Sequence, residues 1–108
     1  MKMKFLLLCI CLSQMTFAQE NPIGVFEFNK DIGNPKLAGS ATYDDATQTY
    51  TIKGAGYNIW GQRDEHRYLF NKIKGDFIVT ANFEFEGYNE AHRKIGWMTR
   101  ASEDDNAV

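Results

Sequence analysis

Residues 77–86 alternate between apolar and polar side chains, which is the clearest periodic pattern in the chain. Successive side chains of a β-strand point to opposite faces, so this alternation separates an apolar face from a polar one. The pattern predicts an antiparallel strand with one buried and one solvated face, and only Ile78 departs from it. The apolar face carries Phe77, Val79, Ala81, Phe83 and Phe85, and the polar face carries Thr80, Asn82, Glu84 and Glu86.

Shorter segments of strand character lie on both sides of this stretch. In one of them, over residues 49–53, Tyr50 and Ile52 are expected to face inward, and Gly33 and Pro35 predict a loop over residues 31–35. Turn residues recur about every ten positions with no amphipathic helix between them, as is typical of a sandwich or barrel. The sequence therefore predicts an all-β fold, an antiparallel β-sandwich of the concanavalin or jelly-roll kind. The other predicted strands cover residues 23–28, 37–44, 57–60, 66–71 and 93–101.

The first eighteen residues have the layout of a secretory signal peptide. Lys2 and Lys4 form a positive start, residues 5–12 are apolar, and Ala18 ends an acceptable cleavage site. An apolar run of eight residues is too short to span a bilayer, which takes ~20 residues. We therefore predict a signal peptide over 1–18, one domain over 19–108, no transmembrane segment after cleavage, and export to the periplasm or the extracellular space.

Cleavage after Ala18 changes the composition of the remaining chain. Both cysteines, Cys9 and Cys11, leave with the signal, which excludes disulfides, Cys-bound zinc and a Cys nucleophile from the mature part. Loss of Lys2 and Lys4 leaves ten basic residues against fourteen acidic ones, a formal net charge of −4. An acidic balance argues against nucleic acid as a partner.

The last residues predict that the domain continues. Residues 102–106 read as a turn, and Ala107 and Val108 look like the start of a strand. Because domains seldom stop at that point, we expect this chain to be the N-terminal part of a longer β-sandwich. Missing strands would leave an unpaired sheet edge, so we expect the isolated piece to be marginally stable or prone to aggregation.

The densest group of polar and aromatic residues lies over 60–66. Trp60 is a candidate stacking surface for a sugar ring, with Asp64 or Arg63 bonding the sugar hydroxyls, because sugar faces carry C–H groups that pack on aromatic planes. The alternative is that Trp60 is a core residue beside a turn and that Asp64 caps loop amides.

A second pair of candidate residues lies on the last predicted strand. Lys94 and Arg100 point to the same side of it, with Gly96 and Met98 between them. They could hold an anionic or polyhydroxyl group on a concave sheet face, or they could form the exposed rim of a strand. The candidate ligand-binding residues are Trp60, Asp64, Lys94 and Arg100.

Other polar residues give no catalytic or metal site. Glu84 and Glu86 lie roughly 7 Å apart on one strand face, a spacing that invites comparison with glycosidase carboxylates, but that face looks solvated. His66 and His92 each lack a partner motif. We predict no catalytic residue, no metal ligand and no cofactor. The acidic turns 44–45 and 103–105 could contribute ligands to a structural calcium ion, but calcium needs oxygens from separated positions, which adjacent acids alone do not supply.

Three spaced motifs stand out in the second half of the chain: Gly56-x-x-Ile59-Trp60-Gly61-x-x-Asp64, then Gly75-Asp76-Phe77, then Lys94-x-Gly96-x-Met98-x-Arg100. Together they resemble the signature of a concanavalin-like β-sandwich family of secreted or periplasmic proteins. The resemblance covers residues 23–108 and departs from the family pattern at His66 and Trp97. In several envelope proteins such a sandwich precedes a TolB-like β-propeller.

The resemblance implies a non-catalytic recognition or scaffolding module of an exported TolB-like protein, with a glycan or a downstream β-propeller of the same chain as its partner. The alternative is a fragment of a concanavalin-like glycoside hydrolase whose acids lie beyond residue 108. Glucanases of this sandwich class use a Glu-x-Asp-x-Glu strand, which this sequence does not contain. A third possibility is a structural piece that binds nothing.

Overall fold

The computed structural model describes residues 22–88 and 90–108, and all the regular structure in these ranges is β. No helix in them is long and apolar enough to cross a membrane. The predicted signal peptide, 1–18, lies outside the described residues. The strands are β1 (Phe28–Ile32), β2 (Ser40–Asp44), β3 (Thr49–Lys53), β4 (Ile59–Trp60), β5 (Arg63–Asp64) and β6 (His66–Phe70).

Strands β1 and β6 form the best-packed of three two-stranded antiparallel sheets. Phe28 lies opposite Phe70 in the register, and their rings stack with centroids 4.8 Å apart. At the other end of this sheet, Ile32 is only 1% exposed. Aromatic pairs of this kind add to area burial, so this sheet forms the apolar centre of the described structure.

Strands β2 and β3 form a hairpin closed by residues 45–48. Asp44 Oδ1 accepts a hydrogen bond from the Ala46 amide at 3.0 Å, which holds the chain in a turn. The Tyr43 and Tyr50 rings lie 4.4 Å apart across the two strands. The predicted strand over 49–53 is confirmed, but Ile52, which we expected to face inward, is 43% exposed because no second layer covers it in the described structure.

Strands β4 and β5 form a small hairpin with the loop Gly61–Gln62. Gly61 has φ = 73°, a conformation that two-residue hairpin turns require and that glycine adopts without strain. The adjoining predicted strand, 66–71, is confirmed as β6 apart from its last residue.

The start of the domain differs from the sequence prediction. The predicted strand over 23–28 is wrong for most of its length, because Ile23 and Phe26 bond each other across a tight turn in which Gly24 has φ = 55°. Regular pairing begins at Phe28 and runs through Ile32, where a loop was predicted. Pairing with β6, and not local residue preference, sets these bounds.

The two strands predicted nearest the C-terminus are also absent. Residues 77–86 and 93–101 belong to no ladder in the described structure. They contact each other through side chains: the Phe83 and Trp97 rings meet edge to face at 5.7 Å, and the Arg93 guanidinium lies 4.6 Å from the Phe85 ring centroid. Alternation assigns side chains to two faces, but a strand also needs a backbone partner, and no described segment supplies one. The strands that are present pair antiparallel, which confirms the antiparallel β class. The two-layer sandwich stays a prediction.

Candidate functional site

The β4–β5 hairpin presents one buried and one open face. Ile59 lies opposite Asp64, and Trp60 lies opposite Arg63. Directly opposite residues share a face, so Trp60 and Arg63 project together away from Ile59 and Asp64. Trp60 is 71% exposed, which excludes its being a core residue in this structure.

Asp64 and Arg100, two of the candidate ligand residues, bind each other. Arg100 Nη1 donates to Asp64 Oδ2 at 2.6 Å, and the Arg100 side chain is only 4% exposed. The second Arg100 amino group donates to the Asp104 carbonyl oxygen, and the Asp64 amide donates to the Asp105 carbonyl oxygen at 2.7 Å. This geometry anchors residues 100–105 on the hairpin, and it leaves the Arg100 guanidinium largely out of reach of solvent.

Lys94 lies beside Trp60. Its Nζ atom is 5.7 Å from the centroid of the indole ring and donates to Asn58 Oδ1 and to the Ile59 carbonyl oxygen, each at 2.8 Å. Within the described ranges, no carboxylate lies within ion-pair distance of this ammonium. The structure therefore joins the four candidate residues as two pairs, an open one of Trp60 with Lys94 and a buried one of Asp64 with Arg100.

Close packing explains the motif glycine that precedes the hairpin. A Cβ atom on Gly56 would lie against the carbonyl oxygen and side chain of Glu65. Glu65 in turn donates its amide to the Asn58 carbonyl oxygen at 2.9 Å, which holds the two segments at this separation. Together with the positive φ of Gly61 and the Asp64–Arg100 pair, this close approach gives the first motif a role in building the hairpin.

Glu65 is a buried carboxylate that sequence reasoning missed. It is 8% exposed, and its Oε2 accepts the Tyr57 amide at 2.8 Å while its Oε1 accepts from Arg63 Nη2. The Tyr57 hydrogen bond and then Arg63 hold the pKa of Glu65 below its ordinary value, against desolvation, which acts the other way. Alternation places residues 63 and 65 on one side of a strand, so the Arg63–Glu65 pair was within reach of the sequence pattern.

A cleft opens beside this carboxylate. Arg63 is well exposed at its side chain, and its guanidinium lies 5.7 Å from the centroid of the Tyr57 ring, which is itself 65% exposed. The cleft has a volume of about 760 Å³. Its lining residues are Asn34, Lys36, Leu37, Ala55, Gly56, Tyr57, Arg63 and Glu65.

His66 lies on the opposite, buried side of the hairpin region. Both of its ring nitrogens are buried without a hydrogen-bond partner among the described residues. Burial first, and the nearby positive charge of Arg100 second, lower the pKa of His66, while Asp64 acts in the other direction. His92 is exposed. Across residues 22–88 and 90–108, no group of three His, Cys, Asp or Glu side chains could hold a metal ion.

The remaining contacts tie the last segment to the sheets. The Tyr68 hydroxyl donates to the Met98 carbonyl oxygen at 2.9 Å, and burial raises the pKa of Tyr68. Lys30 Nζ and Glu103 Oε2 form an ion pair at 2.6 Å. The third motif, Lys94 to Arg100, is therefore held to the hairpin and to β6 by side chains and not by a strand ladder.

Comparison with known proteins gave no match to a family model, to a curated protein or to a solved structure.

Proposed function

We propose that the chain is a non-catalytic β-sandwich recognition or scaffolding module of an exported, TolB-like envelope protein, and that it binds glycan through Trp60. Export is supported by the pattern of residues 1–18, and the TolB-like assignment by the three spaced motifs. In this proposal the three two-stranded sheets belong to the two layers of a concanavalin-like sandwich. The downstream partner would be a β-propeller of the same protein.

The exposure of Trp60 is the observation that supports glycan binding most strongly. Trp60 is 71% exposed, so its indole offers a broad apolar plane on which a ligand can pack. Sugar rings present C–H faces that pack on such a plane and hydroxyl groups that need donors at its edge. Lys94 supplies donors there, and Arg63 supplies them on the opposing strand.

The hairpin fixes the backbone position of Trp60. Its turn, the Asp64–Arg100 pair and the Lys94 hydrogen bonds restrain both strands and the segment behind them. A restrained backbone around an aromatic residue lowers the conformational entropy lost on binding. Asp64 acts in this proposal as a support for the hairpin, because its carboxylate is already bound to Arg100.

A glycan array probed with the full chain tests the proposal. Wild type is expected to bind a subset of glycans, Trp60→Ala to lose that binding by about tenfold or more, and Trp60→Phe to retain part of it. Tyr88→Ala is the matched control, since Tyr88 is 99% exposed and lies away from the hairpin in sequence. Equal binding by wild type and Trp60→Ala would remove Trp60 from the site, and release of new reducing ends from a bound glycan would favour the hydrolase alternative.

A further inference from the structure

The open face of the β4–β5 hairpin is cationic, although the chain as a whole carries a formal net charge of −2. Lys94 lies at the Trp60 ring, and Arg63 lies opposite Trp60 on the neighbouring strand. From Arg63 the surface continues to the Tyr57 ring and into the cleft that Lys36 lines. Two exposed aromatic rings, Trp60 on the hairpin and Tyr57 just before it, thus each have a cation beside them.

The charges on this face do not cancel. Among the described residues, Glu65 is the one carboxylate that lines the cleft, and it is paired with Arg63. Asp64 projects to the other face of the hairpin and is paired with Arg100, so it does not neutralise the open face. Lys36 and Lys94 remain without an ion pair among the described residues. In the part of the chain that the structure describes, the open face and the cleft therefore carry three cations, Lys36, Arg63 and Lys94, against the carboxylate of Glu65.

The donors on this face are only partly used. Lys94 has three N–H groups, of which two are accounted for by Asn58 and Ile59. The Arg63 guanidinium has five N–H groups, and its one recorded hydrogen bond goes to Glu65. Both side chains can donate to a ligand oxygen without first breaking a contact, and both lie next to an aromatic ring. Such charged donors bond more strongly to an ionised acceptor, such as a carboxylate, than to a neutral hydroxyl group.

Resting on the proposed function, we propose that the ligand is an acidic polysaccharide, a chain of uronate sugars, bound across Tyr57 and Trp60. The sugar faces pack on the two rings, and sugar carboxylates accept hydrogen bonds from Lys94 and Arg63. Lys36 adds positive charge at the end of the cleft.

Polygalacturonate and its carboxyl-reduced form are the probes, because they share linkage and length and differ in the carboxylate. Isothermal titration of the full chain is expected to show binding to polygalacturonate that is about tenfold tighter than to the reduced polymer. The preference is expected to fall as salt is raised from about 0.05 M to about 0.5 M, since exposed charges are screened. Poly-glutamate tests whether charge without sugar rings suffices.

Four variants, one of them a control, locate the binding. Lys94→Gln and Arg63→Gln are each expected to weaken polygalacturonate binding by about fivefold to tenfold and to weaken binding to the reduced polymer by less, because Gln keeps N–H donors for hydroxyl groups and loses the positive charge. Lys74→Gln is the matched control, because Lys74 is exposed and lies in the turn before residue 77. Circular dichroism of each variant checks that the fold is kept, and Lys94→Arg, which keeps the charge, is expected to retain most of the binding.

The outcomes separate this inference from the proposed function. Trp60-dependent binding of equal strength to both polymers overturns the acidic preference and leaves glycan binding intact. Equal binding of poly-glutamate and polygalacturonate overturns recognition of the sugar. Absence of binding to every polysaccharide overturns both proposals, and polygalacturonate binding that Lys94→Gln and Arg63→Gln leave unchanged overturns the site.

Discussion

Arg100 donates a hydrogen bond from Nη1 to Oδ2 of Asp64 at 2.6 Å, joining two segments that lie 36 residues apart in the chain. The Arg100 side chain is 4% exposed and that of Asp64 is 14% exposed, so water screens the pair weakly. The pair holds residues 100–105 against the hairpin that carries Trp60. Its main consequence is structural support for the open face on the other side of the hairpin.

Asp64→Ala is expected to destabilise the chain by about 3 kcal/mol, because it leaves the Arg100 charge buried and unpaired. The double variant Asp64→Ala/Arg100→Met is expected to be more stable than Asp64→Ala, since it removes the orphaned charge. Urea unfolding measured by tryptophan fluorescence gives the coupling energy. Asp76→Asn, at an exposed turn, is the control, and additive effects of the two changes would show that the pair contributes no coupling.

Gly56→Ala is expected to destabilise the chain by about 2 kcal/mol, because the added Cβ would press on the Glu65 carbonyl oxygen and side chain. Gly96→Ala is the matched control: no atom lies within 4 Å of its added Cβ, so its stability should stay close to wild type. Thermal unfolding of the two variants compares them directly. Similar unfolding temperatures for both variants would mean that the structure around Gly56 shifts to accept the added Cβ without loss of stability.

Burial of the His66 ring predicts a loss of stability in mild acid. The folded pKa of His66 lies below its ordinary value of 6.5, so the unfolded chain binds the proton more readily. The stabilising effect of the neutral ring is full above pH 6.5 and is lost as pH falls from that value towards the lowered pKa. Urea midpoints measured from about pH 8 to about pH 5 should therefore fall with pH.

Two variants test whether His66 causes this fall of the urea midpoint with pH. His66→Phe removes the titrating ring and its two unpartnered nitrogens, and it should flatten the profile in this window. His92→Phe changes an exposed ring and should keep the wild-type profile. Glu65, whose pKa is also lowered, loses its stabilising effect only below its ordinary pKa of 4.5, so it does not contribute to the slope in this range. A wild-type slope in His66→Phe would contradict the assignment.

The sequence predicted individual strands better than it predicted which strands pair. Residues 49–53 and 66–70 carry enough alternation and flanking turn residues for their strands to be read directly, and both are present. The partner of the 66–70 strand was not predictable, because β1 lies nearly forty positions earlier and its bounds depend on that pairing. Alternation states which residues share a face and says nothing about which backbone lies alongside.

For the candidate site too, alternation predicted which side chains share a face and did not predict their partners. Alternation placed Lys94 and Arg100 on one side of their segment, and both do reach the β4–β5 hairpin. Their surroundings differ, however. The Lys94 ammonium lies beside the Trp60 indole and is open to solvent, whereas the Arg100 guanidinium is paired with the Asp64 carboxylate and is buried. Charge and spacing alone could not separate these outcomes. The burial of Glu65 was missed for a similar reason, since it depends on where the Tyr57 amide lies.

Residues 77–86 are expected to exchange their backbone amides much faster than β3 or β6. In the described ranges, no backbone–backbone hydrogen bond involves this stretch, although its side chains alternate as in a strand. Amides without an acceptor in a ladder exchange with little protection, whereas those of a paired strand require local opening first. Peptide-resolved hydrogen exchange compares residues 77–86 with 66–70 in the same sample, which makes β6 the internal reference. Protection of 77–86 equal to that of β6 would mean that this stretch pairs with another backbone in solution, and its half-exposed Phe77, Phe83 and Phe85 would then be the inner face of a further sheet.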